Sequence, residues 1–291
     1  MIGSILPDAD AALIPGGFDV YLHAHAAGTH SMLGTVVEAL LLALAVRMVV
    51  TGSRVLALLA ASWAGAIGHV LWDLADGSNI YLFRPFVDAV IGWHLVAMGE
   101  PIVLVTLAAA ALFAWRCPAH ARRSAAAALV AVSILLAVKK TTQRRARARY
   151  VEAIGNEAAG AVAIAPVSGH LFAWMIYDRY GERVRAWRVD GRSGTVTLAF
   201  EYRDAADAPA IQLSRELPVV RTFLGLSKLP FVRTEIDGPR RVVLWSDVTS
   251  CSIRGCDQSF GGAFDGNRTP LYQMIRIHGF TQRRAMPADR P

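Results

Sequence analysis

Four apolar runs dominate the first half of the chain, at residues 32–50, 55–75, 90–115 and 125–138. Their apolar side chains would surround a helix on nearly every face, which is typical of helices in lipid and not of a helix with one buried stripe. The second and third runs are long enough to cross a bilayer, the first is adequate if it accommodates Glu38, and the fourth is short. We predict four membrane helices; interfacial core helices for the shorter runs remain an alternative.

From about Tyr150 the pattern changes to short alternating stretches separated by turn signals. Residues 196–202 alternate between apolar and polar side chains, as a half-buried strand does, and residues 190–194 have the composition of a turn before it. The Asp-Gly pair at 237–238 lies between two apolar stretches like the tip of a hairpin. Residues 217–227 are expected to add a short helix. The sequence therefore predicts a mainly β soluble C-terminal domain after the α-helical membrane domain.

These patterns divide the chain into a helical membrane domain at 1–138, a basic linker at 139–152 and a mainly β domain at 153–291. The linker is the densest positive cluster, and the positive-inside tendency assigns it to the cytoplasm. With four spans, residues 1–31, residues 76–89 and the C-terminal domain lie on that same side. The expected location is therefore a bacterial-type inner membrane, crossed several times, with the C-terminal domain in the cytoplasm.

Composition supports a membrane protein, because 54% of residues are hydrophobic, 18% are charged and the mean hydropathy is +0.37. The net charge of +7 could suggest nucleic acid. However, the basic residues crowd beside the last apolar run and no recognition motif accompanies them, so no nucleic-acid partner is expected. Membrane lipid is the expected partner, and the oligomeric state is not indicated. No signal peptide is expected, since Asp8 and Asp10 stand where a basic segment should be.

The three cysteines give neither a zinc-ribbon spacing nor a disulfide framework. Cys251 and Cys256 would pair in an oxidising compartment, and they are equally consistent with two free thiols. Both readings stay open at this point.

Residues able to bind a metal precede, separate and interrupt the apolar runs. They are Asp8, Asp10, His25, His30, His69, Asp73, His94 and Glu100. His69 and Asp73 are four residues apart, so they share one helix face inside a strongly apolar run. Such groups need a partner in a lipid-like environment, and either a metal ion or a buried structural His–Asp hydrogen bond would supply it. For Glu38 we hypothesise a hydrogen bond to a ligand histidine.

Mixed sets of histidine and carboxylate suit a divalent metal, with zinc preferred and manganese or iron as alternatives. Such a site can polarise a phosphoryl or carbonyl oxygen and lower the pKa of a bound water. Hydrolysis by metal-activated water is therefore the predicted chemistry. In this hypothesis Asp8, Asp10, His25, His30, His69 and Asp73 are the ligands. His94 or Glu100 completes the site or acts as the catalytic acid or base.

The order of these motifs resembles the YdjM-like family of inner-membrane, metal-dependent hydrolases. The residues that carry the resemblance are Pro7 to Asp10, His25 with Thr29-His30-Ser31, Gly68-His69 with Asp73, Arg84-Pro85-Phe86, His94 and Glu100-Pro101. The resemblance covers about residues 1–115 and implies a helical core like that of phospholipase C and P1 nuclease, with the eight residues above lining one metal site. Two positions depart from the family pattern, since Ala26 replaces Arg and Glu100 replaces Asp.

The leading hypothesis is an integral membrane metal-dependent hydrolase with a lipid-like or phosphoester substrate. The alternative from another class is a non-catalytic, membrane-anchored binding or scaffold protein whose His/Asp network is structural. A transporter that uses His69, Asp73 and Glu38 is a third hypothesis, and it requires these groups to line a continuous path.

Overall fold

The computed structural model describes residues 2–50, 52, 54–155, 162–206, 208–277 and 279–286. Its N-terminal half is helical and its C-terminal domain consists of antiparallel sheets, which confirms the predicted fold class. Two 3-10 helices, Ile2–Ser4 and Leu6–Gly16, precede the first α-helix, and a π-helical turn, His25–Thr29, follows it. The α-helices of this half are α1 Phe18–Ala24, α2 Met32–Val49, α3 Val55–Asp76, α4 Pro101–Arg116 and α5 Ala121–Ile154.

Three helices are long and apolar enough to cross a membrane by length and composition, namely α2, α3 and the helix that contains α5. Their surfaces carry exposed large apolar side chains such as Met48, Leu56 and Leu129. Exposed apolar surface on this scale suits lipid and not water. α2 packs against α3, and α4 packs against α5, where Ser124 Oγ donates to the carbonyl of Ala110 at 2.8 Å.

The predicted lengths of the third and fourth runs are wrong. α4 begins only at Pro101 and has 16 residues, because proline fits the first helical turn but disfavours helical geometry in the residue before it. The apolar residues before it pack on the end of α3 instead, where Trp93 N and Leu95 N donate to α3 carbonyls at 2.7 Å. The fourth run lies within α5, which has 34 residues and is therefore not short.

The basic stretch 139–152 is the C-terminal part of α5. Lys139 is fully buried, and Ala146 and Tyr150 pack in a cluster with Trp174. α5 therefore runs from the membrane region onto the first sheet of the C-terminal domain without a break.

The C-terminal domain contains two main antiparallel sheets. The first is a meander in the order β1-β2-β3-β4, and the second has the order β11-β10-β9-β6-β5. The elements are β1 Val162–Pro166, β2 Ala173–Tyr180, β3 Arg183–Asp190, β4 Val196–Arg203, α6 Ala208–Ser214, α7 Pro218–Leu226, β5 Pro230–Asp237, β6 Arg240–Asp247, β7 Cys251–Ser252, β8 Gly255–Cys256, β9 Gln258–Phe264, β10 Pro270–Ile277 and β11 Phe280–Ala285.

The local sequence signals in this domain are confirmed. The predicted strand at 196–202 is β4, the Asp-Gly pair at 237–238 joins β5 to β6, and the predicted helix at 217–227 is α7. α6 and α7 cover the second sheet and bury Phe223 against Phe260. Cys251 and Cys256 form a disulfide, which decides between the two readings of these thiols.

The C-terminal domain covers the ends of the helices at which the N-terminal segment lies. In the loop after α3, Tyr81 Oη donates to Gly225 O at 3.1 Å and Asn79 Nδ2 donates to Leu226 O at 3.2 Å, both in α7. Residues 1–31, the loop after α3 and the C-terminal domain therefore share one side of the helices. Four spans were expected; three described helices are long enough to cross a membrane, and α4 is a shorter apolar helix.

Candidate metal centre

Two glycines bring the N-terminal segment against α3. A Cβ on Gly3 would lie 2.6 Å from the carbonyl oxygen of Ser62, and one on Gly65 would lie 3.0 Å from the backbone of Gly3. Because only glycine permits such close crossing, the short 3-10 helix that follows is held beside α3. Asp8 is thereby placed one helical turn from the crossing, next to His69.

Asp10 is the buried acceptor of this segment. Its carboxylate accepts the hydroxyl of Thr29 at 2.6 Å and lies 3.2 Å from Nδ1 of His25. Both partners belong to the π-helical turn after α1, and turns of this kind occur frequently at functional sites. Asp10, His25 and His30 form one group whose ligand atoms lie within 4.8 Å of one another.

A second group with ligand atoms within 4.8 Å of one another contains Asp8, His30 and His69. Ser31 caps α2 by accepting from Gly34 N at 2.9 Å, which fixes the fully buried His30 at the start of that helix. His69 and Asp73 share a face of α3, as their spacing predicts. Asp73 Oδ2 lies 3.0 Å from Nε2 of His30 and 3.3 Å from Nε2 of His69.

Thr29 sets the tautomer of His30. Its single hydroxyl proton is donated to Asp10, so its oxygen accepts from Nδ1 of His30 at 3.0 Å. A neutral imidazole that is protonated at Nδ1 has its lone pair at Nε2, the form in which histidine binds a metal. The sequence analysis did not predict this role. The available signal was a hydroxyl-bearing residue directly before a candidate ligand histidine in the sequence.

The geometry of these groups fits a divalent cation. Nε2 of His30 and Nε2 of His69 are buried, yet neither forms a hydrogen bond with any residue that the structure describes. Both atoms nevertheless lie 3.0 to 3.7 Å from carboxylate oxygens of Asp8 and Asp73. The histidine nitrogens and the carboxylate oxygens are thus at ion-pair distances but lack hydrogen-bond geometry. We infer that their lone pairs point into the same space. Imidazole nitrogens and carboxylate oxygens are together the ligand set that zinc and related ions prefer.

The pKa values of two side chains outside the spanning helices, Tyr21 and His25, are shifted beside this acidic cluster. Burial and the nearby carboxylates, Asp10 foremost, raise the pKa of Tyr21 to about 12, so its hydroxyl keeps its proton. The Tyr21 ring lies 5.1 Å from the ring of His25. Burial and His30 lower the pKa of His25 despite the opposing effect of Asp10. A neutral His25 is the form that can bind a metal.

The structure does not bring His94 into this cluster. Among the described residues, neither close group of ligand atoms includes it. His94 Nε2 lies 2.9 Å from Nζ of Lys228 in the C-terminal domain, and burial followed by Lys228 lowers the pKa of His94 to about 4. Its ring packs against Gly77 beyond the end of α3. His94 is therefore a contact between the two halves of the protein.

Glu100 is also separate from the metal ligands. It is fully buried, its Oε1 accepts from Gly169 N at 3.2 Å, and its Oε2 lies 3.6 Å from Nζ of Lys139. Lys139 in turn donates to the carbonyl of His170 at 2.6 Å. This ion pair fastens the starts of α4 and of the C-terminal domain to α5. The expectation that Glu100 completes the metal site is thus not supported by its position.

Glu38 lies on the first half of α2, near the cluster. Its Oε2 is buried and has no hydrogen-bond partner in the described part of the chain, and the residue lines an open cavity. The hypothesised hydrogen bond from a ligand histidine to this oxygen is therefore not formed.

Helices suited to a bilayer, a buried cluster of histidines and aspartates at their ends and a covering β domain define a membrane protein with a candidate metal centre. A family model described as "YdjM inner membrane protein" matches residues 1–146. The chain belongs to this family, which confirms the resemblance drawn from its motifs. Neither a curated protein nor a solved structure gave a significant match.

Proposed function

We propose that the protein is an integral inner-membrane hydrolase that depends on a divalent metal, with zinc preferred. The observation that carries the proposal is the convergence of two buried, unbonded Nε2 atoms on the carboxylates of Asp8 and Asp73. His30, His69, Asp8 and Asp73 would hold one ion, and Asp10 with His25 could hold a second. A bound divalent cation polarises a phosphoryl or carbonyl oxygen and lowers the pKa of a coordinated water.

The protein's own side chains orient this centre. Thr29 links Asp10 to His30 and fixes the ring nitrogen that faces the carboxylates. Tyr21, whose pKa is raised to about 12, remains a hydrogen-bond donor beside the acidic cluster. The expected substrate is lipid-like or a phosphoester.

The test is the metal content of the full-length protein purified in detergent, measured by elemental analysis. We expect stoichiometric zinc, manganese or iron in the wild type and its loss in His69→Ala and Asp73→Asn. His120→Ala is the matched control, because His120 is exposed at the opposite ends of the helices. Unchanged metal in both cluster variants would contradict the proposal.

Activity is tested separately on a soluble aryl phosphoester and on a soluble aryl carboxylester after metal loading. Turnover that disappears in both cluster variants and persists in His120→Ala supports a hydrolase. Stoichiometric metal without turnover of either ester would reject hydrolysis of these two bond types, and metal-free protein would favour the non-catalytic scaffold.

We propose further that the centre and the C-terminal domain face the cytoplasm. Support comes from the exposed arginines on the last part of α5, Arg144, Arg145, Arg147 and Arg149. Five other arginines, at positions 47, 54, 116, 122 and 123, lie at the opposite helix ends and reduce this charge asymmetry. The Cys251–Cys256 disulfide opposes this orientation, because disulfides persist mainly in oxidising compartments. Alkylation of the two thiols in intact cells is therefore the test: a reduced pair supports the cytoplasmic orientation, and an oxidised pair reverses it.

A further inference from the structure

A cavity of about 530 Å³ opens beside the candidate metal centre. Its walls come from the end of α1, the π-helical turn, the first half of α2 and the loop after α3. The lining residues that matter for its chemistry are His23, Thr29, Val37, Glu38 and Arg84. Thr29 belongs to both the cavity and the centre, because its hydroxyl donates to Asp10. A molecule in the cavity would therefore contact Thr29, the residue that hydrogen-bonds to the candidate ligand Asp10.

Arg84 makes one wall of the cavity cationic. Its Nε donates to Asp88 at 2.6 Å, and its guanidinium carbon lies 4.1 Å from the centre of the Tyr81 ring. None of the described residues accepts a hydrogen bond from its Nη atoms. Stacking on Tyr81 holds the planar guanidinium in place with donors left over, a geometry suited to two parallel hydrogen bonds to a phosphate. His23 lies exposed on the same wall.

The carboxylate of Glu38 lines the same cavity and needs a hydrogen-bond donor. Its buried Oε2 has no partner among the described residues, and an unsatisfied buried acceptor is costly. A ligand hydroxyl would supply that hydrogen bond.

The mouth of the cavity is apolar. Leu33 and Val37 of α2 line it and are each 47% exposed, and Phe86, next to the lining residue Pro85, is 81% exposed. In a protein of this family these side chains contact acyl chains, because α2 is one of the helices suited to span the membrane. Both sides of the opening therefore face lipid, which favours an occupant from the surrounding leaflet over one from water.

We propose that this cavity binds a phosphate-bearing membrane lipid whose head group carries a free hydroxyl. Arg84 binds the phosphate, Glu38 accepts from the hydroxyl, and one acyl chain lies along Leu33 and Val37. The lipid's ester then lies beside Thr29 and the His/Asp cluster. Cleavage of this lipid rests on the proposed hydrolase function, but its binding does not.

The experiment is native mass spectrometry of the full-length, detergent-purified protein titrated with phosphatidylglycerol, phosphatidylcholine or glycerol 3-phosphate. We expect phosphatidylglycerol to bind about tenfold more tightly than phosphatidylcholine, because only its head group offers Glu38 a hydroxyl, and Arg84→Gln to weaken binding of phosphatidylglycerol about tenfold. Val37→Trp, which narrows the apolar mouth, should weaken binding of phosphatidylglycerol about tenfold as well. Arg47→Gln and Leu44→Trp are the matched controls on the exposed surface of α2, and we expect no change in either.

Equal binding of the two lipids, together with a neutral effect of Arg84→Gln, would overturn the proposal. Glycerol 3-phosphate bound as tightly as phosphatidylglycerol, with Val37→Trp neutral, would identify a soluble phosphoester instead of a lipid. Binding is also measured in His69→Ala. Lipid binding that His69→Ala retains would show that the lipid site does not depend on the metal. Arg84-dependent lipid binding by wild-type protein without metal or turnover would reject the hydrolase and retain the lipid site, whereas turnover of soluble esters without selective lipid binding would do the reverse.

Discussion

Two aspartates, the fully buried Asp178 and the partly buried Asp73, have several partners each, and they differ in how those partners are satisfied. Asp178 in β2 is fully buried and accepts from Tyr150 Oη, from Arg185 Nε and Nη2 at 2.8 Å, and from Trp187 Nε1 at 3.2 Å. Asp73 in α3 lies as close to two histidine nitrogens, but those nitrogens make no hydrogen bond with the described residues.

The difference separates a structural network from a binding site. A buried network with every donor and acceptor paired holds elements together, and here it joins α5 to the first sheet. Burial of polar groups that approach one another without forming hydrogen bonds is energetically unfavourable. Only an additional binding partner removes this cost. The same residue type therefore has opposite meanings at Asp178 and Asp73, and the hydrogen-bond pattern distinguishes them.

The largest expected effect comes from breaking the satisfied network. Asp178→Ala leaves Arg185 buried without its partner, so we expect the free energy of unfolding to fall by about 3–5 kcal/mol. Asp73→Ala should cost much less in metal-free protein, because no formed hydrogen bond is lost. Chemical denaturation in detergent, followed by circular dichroism, measures both. Asp257→Ala, an exposed position, is the control, and equal losses at Asp178 and Asp73 would remove the distinction.

Stabilisation by zinc provides a second test of the difference between Asp178 and Asp73. A ligand that binds only the folded state at about a hundredfold excess over its dissociation constant stabilises it by about 2.7 kcal/mol. We expect this gain in the wild type, measured as a rise in the thermal midpoint that a chelator reverses. The Asp178→Asn variant should keep the gain and Asp73→Asn should lose it. A zinc effect in Asp73→Asn as large as in the wild type would exclude Asp73 as a ligand.

A smaller effect is expected from the hydroxyl that orients His30. Thr29→Val removes the link between Asp10 and the ring, and loss of such an orienting group lowers metal affinity about 10–100-fold. Thr29→Ser should restore it. Competition with a chromophoric chelator measures the dissociation constant. Identical constants in Thr29→Val and the wild type would show that the tautomer is fixed by other means.

The smallest expected effect concerns the contact between the halves at His94. Its pKa is lowered to about 4, below the ordinary 6.5, by burial and then by Lys228, with Asp247 opposing. Between these values the unfolded chain binds a proton that the folded chain does not, so the free energy of unfolding should decrease as pH falls from about 6.5 to about 4. Metal-free His94→Gln should show a shallower pH dependence than the wild type in thermal unfolding, and parallel profiles would contradict the assignment.

Several parts of the site were predictable because they depend on local chemistry. The i, i+4 spacing of His69 and Asp73 fixes their common face on a helix whatever surrounds it. A serine before an apolar run predicts the cap of α2, and Ser31 forms it. Asp8, Asp10, His25 and His30 could be grouped by ligand type, although only the fold brings them within reach.

His94 and Glu100 show why the other site residues could not be predicted from local chemistry. Both look like ligands in the sequence, but contacts more than a hundred residues away for His94, and 39 and 69 residues away for Glu100, give them other partners. The start of α4 was missed for a related reason. Residues 90–98 are apolar because they pack against α3 and not because they form a helix.

By itself the sequence determined the apolar helices, the change to a β domain and the residue types able to bind a metal, since hydropathy, turn chemistry and helix spacing act over a few residues. The tertiary structure decided which of those residues meet. It placed Asp8 against His69 through a glycine crossing, paired Glu100 with Lys139 and opened a cavity beside Thr29. Contacts of this kind depend on how distant segments pack, and the order of residues along the chain does not encode them locally.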